Sequence, residues 1–211
     1  MLTSGCHAIF GLDEPVQAPQ DADTPVDALD ANERARRAYL GLQGSIAKSI
    51  KLAFDGFNAA TSVNIPPQNA AGDLAGMLSV TGQVDQGSSN NKGMRLYIGT
   101  VGYNDGAFKI SDADTLIVVY DTALEMTGQP YLELMLTGIP TGTVTGLLNA
   151  GSTRAGVYHM SGDLTGDVEL DLTFDGKLKD SGTGVTRVPG SSHVTGTAKS
   201  GDGTYVIDLT I

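Results

Sequence analysis

The sequence has few of the residues that would point directly to a function. It contains one cysteine and no tryptophan in 211 residues, and aromatic residues make up 6%. A single cysteine excludes an intramolecular disulfide. No apolar run approaches the ~18 residues that a membrane-spanning helix needs. Any attachment to a membrane must therefore be covalent or through a partner.

Basic residues are also scarce. The chain has 13 Lys and Arg against 24 Asp and Glu, which gives a formal net charge of −11 at pH 7. A net acidic surface repels the phosphate backbone of nucleic acids and the head groups of anionic lipids. We therefore expect no nucleic-acid partner.

Recognisable catalytic motifs are missing as well. The sequence contains neither the glycine-rich fingerprint of dinucleotide-binding folds nor a P-loop. It also has no Gly-x-Ser-x-Gly elbow, the motif that presents the nucleophile of many serine hydrolases. We therefore predict a protein that is not an enzyme and that uses no cofactor.

The cysteine stands in the stretch Leu-Thr-Ser-Gly-Cys at residues 2–6. This stretch resembles the lipobox, the end of a bacterial lipoprotein signal peptide. Gly5 and Ser4 match its small residues, whereas Thr3 replaces the usual leucine. The resemblance implies cleavage before Cys6 and lipidation of its sulfur, and it implies a basic and apolar leader upstream. The alternative is an unmodified, solvent-exposed cysteine.

The segment that follows, residues 7–29, is acidic and rich in proline. It holds three prolines and five acidic residues but no Lys or Arg. Such a segment has too little apolar content to fold, so we expect an extended tether. Lipoproteins commonly carry a tether of this kind, which favours an exported protein of the bacterial cell envelope. His7, where an Asp would resemble an inner-membrane retention signal, favours the outer membrane.

The folded domain is predicted to span residues 30–211 and to begin with one long helix at about 31–60. Asp30 suits the N-cap, and Glu33 stands at capping-box spacing. Gly41 and Gly44 lower the helix propensity and allow a kink. Apolar residues recur in steps of three and four, at Ala35, Tyr39, Leu42, Ile46, Ile50, Ala53 and Phe57. This stripe favours packing on the protein's own sheet over pairing with a second copy or lying on a membrane.

From about residue 72 to 211 the pattern becomes that of β-strands. A unit of an aliphatic residue, Ser or Thr, and Gly recurs seven times. The spacing is irregular, which argues against a solenoid. Glycines within strands mark bends and bulges, so the units indicate a strongly curved or closed sheet. They end at Gly82, Gly128, Gly138, Gly146, Gly162, Gly166 and Gly196.

Alternation of polar and apolar residues indicates where the strands lie. Residues 158–175 alternate throughout, which predicts either one long bent strand or a hairpin with an odd-length loop. A terminal hairpin is predicted to pair Lys199 with Thr204. The prolines at 65–68 end any continuation of the helix. Further strands are predicted near 74–84, 94–103, 115–126, 131–138 and 142–149. With the C-terminal strands they make about nine, which form a curved antiparallel sheet, as a barrel or a sandwich.

Candidate metal ligands are few. Asp105, Asp112 and Asp114 cluster around a predicted turn and make a weak metal site, because Asn-Asp-Gly is first a turn signal. His159 and His193 fall on the polar faces of two strands. Two histidines without a third ligand form a poor transition-metal site, so we interpret them as exposed strand residues.

These observations leave three hypotheses for function. The first is a lipid-anchored, non-enzymatic envelope protein with a structural role or with an envelope protein as its binding partner. The second is a carrier of an apolar small molecule in a helix-capped β-barrel cavity. A cavity of several hundred Å³ would support the carrier, and an interior filled by side chains would oppose it. The third is an enzyme, which would need three convergent polar groups in a cleft.

Overall fold

The computed structural model describes residues 30–112 and 114–211. Within them the chain forms two α-helices and then thirteen strands, with a short 3-10 helix at Met126–Gly128 between the sixth and seventh strands. The helices are α1 (Ala31–Leu40) and α2 (Gln43–Ala59). The strands are β1 (Asn64–Ala71), β2 (Ala75–Val84), β3 (Lys92–Asn104), β4 (Phe108–Lys109), β5 (Thr115–Leu116), β6 (Val118–Asp121), β7 (Tyr131–Thr137), β8 (Thr143–Leu148), β9 (Tyr158–Gly162), β10 (Gly166–Asp180), β11 (Val185–Arg187), β12 (His193–Ser200) and β13 (Gly203–Thr210). Cys6 and the predicted tether lie outside the described residues.

The predicted single helix is two helices. Asp30 caps α1 as expected, accepting a hydrogen bond from the backbone N–H of Asn32 at 3.3 Å. The break after α1 falls at Gly41, where a kink is predicted, and a tertiary contact accompanies it. The buried Tyr120 hydroxyl donates to the carbonyl of Ala38 at 2.9 Å, and the N–H of Leu42 bonds to the carbonyl of Tyr39 instead. The helical ladder is therefore interrupted at this point. Neither α1 nor α2 combines the length and the apolarity needed to cross a membrane.

Eleven of the strands pair in one antiparallel sheet that closes on itself, and β4 and β5 form a separate two-stranded sheet. The pairing runs from β3 through β6, β9, β10, β8 and β7 and returns to β3, which makes a ring of six strands. Strands β1 and β2 extend the sheet from β3, and β12 and β13 extend it from β10. A mainly β protein with a curved antiparallel sheet is therefore confirmed, with thirteen strands in the described residues rather than about nine.

Two long strands close the ring because each changes partner along its length. The N-terminal end of β10 pairs with β9, and its middle pairs with β8 on one edge and β12 on the other. In the same way, β3 pairs with β7 through its first half and meets β6 only at Tyr103, which lies opposite Tyr120. A sheet that splits in this way must curve strongly, as the recurring glycines predict.

Several strand predictions are confirmed and others are corrected. The terminal hairpin has the predicted register, with Lys199 opposite Thr204. Residues 158–175 form the hairpin alternative, in which Gly166 pairs with Met160 across an odd-length loop. The strand predicted at 115–126 is two short strands, β5 and β6, and the second ends at Asp121.

The prolines at 65–68 did not prevent a strand from forming. They lie in β1, at one edge of the sheet, where a missing N–H costs no ladder hydrogen bond if it faces outward. The register between β1 and β2 also shifts between Ile65 and Gln68. The prolines therefore mark an edge strand with an irregular ladder rather than a loop.

Both helices pack on the sheet, as their apolar stripe predicts. Helix α1 lies against β12 and β13, and α2 lies against β1, β2 and β11. Side chains fill the space between α2 and the sheet. The gap lined by Ser45, Ser49, Ile50, Tyr158 and Phe174, among others, measures about 10 Å³. That is room for about one water molecule. The filled interior gives no support to a carrier with its cavity between helix and sheet.

Candidate functional site

A groove on the outer face of the sheet brings two arginines and a tyrosine together. We call it the arginine groove after Arg95, Tyr97 and Arg154. Its volume is about 480 Å³, within the ~300–1,000 Å³ of typical small-molecule sites. Its lining also includes Asn64, Gln83 and Met126.

The pleat of β3 presents part of this site. Met94, Leu96 and Ile98 point into the core and are at most 1% exposed. Because side chains alternate along a strand, Arg95 and Tyr97 lie together on the opposite, outer face. The same alternation that builds the core therefore places a cation and a phenol side by side.

Arg154 reaches the groove from the loop between β8 and β9. Its guanidinium donates to the Tyr97 hydroxyl, with 2.6 Å between the two atoms. The guanidinium carbon also lies 5.9 Å from the centroid of the Tyr131 ring, a cation–π distance. The two tyrosine rings are 5.5 Å apart and tilted by 60°. Together these contacts place the exposed guanidinium beside both tyrosine rings.

The charges of the two arginines are balanced differently. Arg95 forms an ion pair with Asp85, with 2.7 Å between Nη2 and Oδ1. The hydrogen bond from Arg95, together with one from the Gly93 backbone, lowers the pKa of the Asp85 carboxyl. Arg154, by contrast, has no carboxylate within 4 Å among the residues that the structure describes. Arg154 therefore has no direct ion-pair partner, although Glu133 lies opposite Arg95 on β7 and adds a second carboxylate beside the groove.

No family model, no curated protein and no solved structure matches this chain. The arginine groove must therefore be understood from its own residues.

Asn149 fastens the loop that carries Arg154. It is 3% exposed and has a φ of 58°, in the left-handed region that asparagine tolerates. Its Oδ1 accepts from the backbone N–H of Tyr131 at 2.9 Å. Its Nδ2 donates to the carbonyls of Gly156 and Leu170, each at 3.0 Å. One side chain thus joins the loop to β7 and β10.

The residues predicted from sequence as a metal site have other partners. Lys48 Nζ lies 2.6 Å from Asp105 Oδ1, and the Tyr103 hydroxyl donates to Asp105 Oδ2 at 2.6 Å. Asp114 lies 3.5 Å from the guanidinium of Arg37, and Asp112 is exposed. In residues 30–112 and 114–211, no group of three or more His, Cys, Asp or Glu is placed to hold a metal ion.

Each of the two strand histidines is exposed and bonds to an aspartate. His159 Nδ1 lies 2.7 Å from Asp167 Oδ1, and His193 Nε2 lies 2.6 Å from Asp208 Oδ1.

Sequence reasoning missed the arginine groove entirely. The Arg-x-Tyr spacing in β3 indicates a shared outer face, but the contact with Arg154 spans 57 positions and leaves no local signal.

Proposed function

We propose that this chain is a non-enzymatic binding protein of the bacterial cell envelope, anchored by a lipid on Cys6, and that its arginine groove binds a carboxylate ligand. The observation that supports the ligand is the Arg154 guanidinium, which is held by Tyr97 and Tyr131 and has no described carboxylate partner. A guanidinium presents paired N–H donors that match the two oxygens of a carboxylate. Other described cations, such as Arg34 and Lys92, also bond to neutral groups only, and what sets Arg154 apart is its place in the groove beside two tyrosine rings.

The other groups of the groove indicate the chemistry of the ligand. Tyr97 accepts a hydrogen bond from Arg154, so its own proton is available to the ligand. The amides of Gln83 and Asn64 bond to each other at 3.2 Å and keep further donors and acceptors for hydroxyl groups. Because Asp85 pairs with Arg95, Arg154 is the cation left to meet a carboxylate. A sugar acid combines these features.

The groove suits binding better than catalysis. Its two cationic side chains are arginines, which remain protonated in proteins and cannot serve as general acids or bases. The carrier hypothesis has less support, since the space between α2 and the sheet is filled.

Binding of a sugar acid can be tested with glucuronate and the neutral sugar glucose. We expect Arg154→Gln to weaken glucuronate binding at least tenfold, because a hydrogen bond to a charged group contributes about 1.5–3 kcal/mol. Titrations followed by NMR detect weak binding and locate it through the signals of Tyr97 and Arg154. We expect glucose to cause no shifts at these residues.

Lys199→Gln is the matched control for that experiment. It removes the same charge from an exposed position on β12, away from the groove. The control variant should bind glucuronate as the wild type does. Equal weakening in both variants would show that only the overall charge matters, and the absence of glucuronate shifts in the wild type would refute the proposed ligand class.

The lipid anchor is a separate prediction. Cells that express the chain with its natural upstream sequence should incorporate labelled palmitate into it, and Cys6→Ser should abolish the label. Cys6 is the only cysteine, so its sulfur is the only thiol available for modification. Immunoblotting shows that both proteins are made. Continued labelling of the serine variant would contradict lipidation at Cys6.

A further inference from the structure

A second groove lies on the outer face of the sheet, beside the arginine groove. It measures about 290 Å³ and is formed by strands β7, β8 and β10. We call it the threonine groove after Thr145 and Thr173, both of which are exposed. Its lining also includes Glu133, Met135 and Leu147, and it shares no lining residue with the arginine groove.

The strand register places the two grooves side by side. Arg95, which lines the arginine groove, lies directly opposite Glu133, which lines the threonine groove. The row continues from Glu133 to Leu147 on β8 and from Leu147 to Thr173 on β10. Residues that lie opposite one another share a face of the sheet, and Arg95 lies on the outer face. Because neighbouring strands are about 4.8 Å apart, this row runs roughly 14 Å from β3 to β10.

Glu133 indicates which ligand groups the threonine groove accepts. Its carboxylate is half-buried and, within the described residues, forms no hydrogen bond and no ion pair within 4 Å. Arg95, its neighbour across the strands, pairs with Asp85 instead. A carboxylate accepts hydrogen bonds from hydroxyl groups and repels a second carboxylate. Among the residues described, no Lys or Arg lines this groove, so it suits a ligand that is neutral and rich in hydroxyl groups.

The other lining residues suit a sugar ring. Met135 is 43% exposed and Leu147 is half-buried, so both offer apolar surface to a ligand in the groove. The exposed Thr145 hydroxyl has no hydrogen-bond partner in the described part of the chain, and the Thr173 hydroxyl lies 3.2 Å from that of Thr195. A pyranose ring has apolar C–H faces and hydroxyl groups around its edge, which match these two kinds of surface.

We propose that the two grooves together bind an acidic oligosaccharide, whose sugar acid pairs with Arg154 and whose neighbouring neutral sugars lie in the threonine groove. The extended site rests on the proposed function and names the larger ligand to which the sugar acid belongs. The order of charges supports it, because the cation without an ion-pair partner lies in one groove and the unpaired carboxylate in the other. Tyr131, which contacts Arg154, stands two positions before Glu133 on the same face of β7, so the two sites are neighbours. A row of roughly 14 Å is long enough for about three linked sugar rings.

The test is NMR titration of the 211-residue chain with three sugars. They are glucuronate, a trisaccharide in which glucuronate is linked to cellobiose, and cellotriose, its neutral counterpart. We expect the trisaccharide to bind about tenfold more tightly than glucuronate, because hydrogen bonds in the threonine groove add to those in the arginine groove. Cellotriose lacks the acid and should bind about tenfold more weakly than the trisaccharide. The signals of Thr145 and Thr173 should shift with the trisaccharide but not with glucuronate.

Thr145→Tyr blocks the threonine groove without changing its charge. We expect this variant to bind the trisaccharide about tenfold more weakly, no better than glucuronate, and to keep its affinity for glucuronate. Thr204→Tyr is the matched control, since it makes the same substitution at an exposed position on β13. It should bind both sugars within about twofold of the wild type. Thermal unfolding establishes that each variant is folded.

Glu133→Gln changes the charge of the threonine groove with little change of shape. The trisaccharide should bind several-fold more weakly, because an amide oxygen is a weaker acceptor than a carboxylate. Glucuronate should bind at least as tightly as it binds the wild type, because a carboxylate beside the arginine groove has been removed. These opposite changes lower the ratio of the two affinities, which remains decisive if Thr145→Tyr does not fold.

Several outcomes would overturn the proposal. One is a trisaccharide that binds no more tightly than glucuronate, which leaves the sugar-acid site of the arginine groove intact. Another is equal affinity for the trisaccharide in folded Thr145→Tyr and Thr204→Tyr, and a third is an unchanged ratio of affinities in folded Glu133→Gln. If neither glucuronate nor the trisaccharide binds the wild type, the proposed function fails together with the extended site.

Discussion

Asn149→Ala should lower the free energy of unfolding by about 3–5 kcal/mol. The substitution deletes hydrogen bonds to four buried backbone groups, which are the N–H of Tyr131, the N–H and carbonyl of Gly156, and the carbonyl of Leu170. An orphaned buried donor or acceptor costs roughly 1–3 kcal/mol, and water that enters the vacated space recovers part of that. Urea denaturation measures the change, with an unaltered m-value as evidence that the unfolding transition is comparable.

Asn149→Gly separates the side-chain hydrogen bonds from the backbone conformation. Glycine accepts the φ of 58° without strain but has no amide. We expect the glycine variant to lose most of the stability that the alanine variant loses. Its free energy of unfolding should be about 1 kcal/mol higher than that of the alanine variant, because an alanine in the left-handed conformation costs about that much. A glycine variant as stable as the wild type would show that the amide contributes little.

The Asn149 substitutions should also affect ligand binding in the arginine groove, although Asn149 itself does not contact the ligand. Asn149 is a positioning residue, since it holds the loop that carries Arg154 and the start of β7 that carries Tyr131. We expect folded Asn149→Gly to bind glucuronate several-fold more weakly while Arg154 itself is unchanged. The NMR signal of the Arg154 guanidinium should broaden or shift even without ligand, a readout that stability alone would not move.

The features predicted well from the sequence are those that depend on near neighbours. Alternation along β12 and β13 predicted that Lys199 lies opposite Thr204, because a slip by one residue would turn the core face to solvent. Asp30 was identified as a cap because capping is decided within one helical turn. The apolar stripe of the helical region likewise predicted its packing on the sheet.

The features that were missed depend on residues far apart in the chain. The helix break falls at Gly41, where the glycines allow a kink, but its tertiary contact was missed, because the Tyr120 hydroxyl bonds to Ala38 across 82 positions. The proline-containing strand β1 forms because it has a place at the sheet edge, which local preference does not reveal. Arg154 is one exposed arginine in a loop until the fold brings it to Tyr97. A binding groove made of contacts between distant residues has no sequence motif by which it could be predicted.

Two of the recurring glycines mark positions where the sheet tolerates no side chain. Gly82 and Gly196 both end a Val-Thr-Gly unit and have φ values of 142° and 148°. Each lies opposite a buried leucine of a long strand, Leu96 in β3 and Leu172 in β10. Strands β2 and β12, which extend the sheet from the six-strand ring, therefore each pair with the ring through a glycine opposite a buried leucine.

Gly196→Ala should destabilise the protein by about 3–5 kcal/mol. A Cβ at this position would lie 2.0 Å from the carbonyl oxygen of Asp171, and the backbone conformation is one that L residues rarely adopt. Backbone strain of this kind costs roughly 1–3 kcal/mol, and forcing atoms into a packed site costs a similar amount. The melting temperature should fall by roughly 10 °C for a chain of this size.

Gly201→Asn is the matched control for Gly196→Ala. Gly201 has a φ of 57° in the turn between β12 and β13, and a Cβ there would meet nothing within 4 Å. We expect this variant to lose at most about 1 kcal/mol, because asparagine tolerates left-handed backbone. Gly82→Ala should match Gly196→Ala, since its Cβ would lie 2.2 Å from the carbonyl oxygen of Arg95. If Gly196→Ala instead loses no more than Gly201→Asn, the strand backbone can relax, and the glycine units reflect composition rather than the curvature of the sheet.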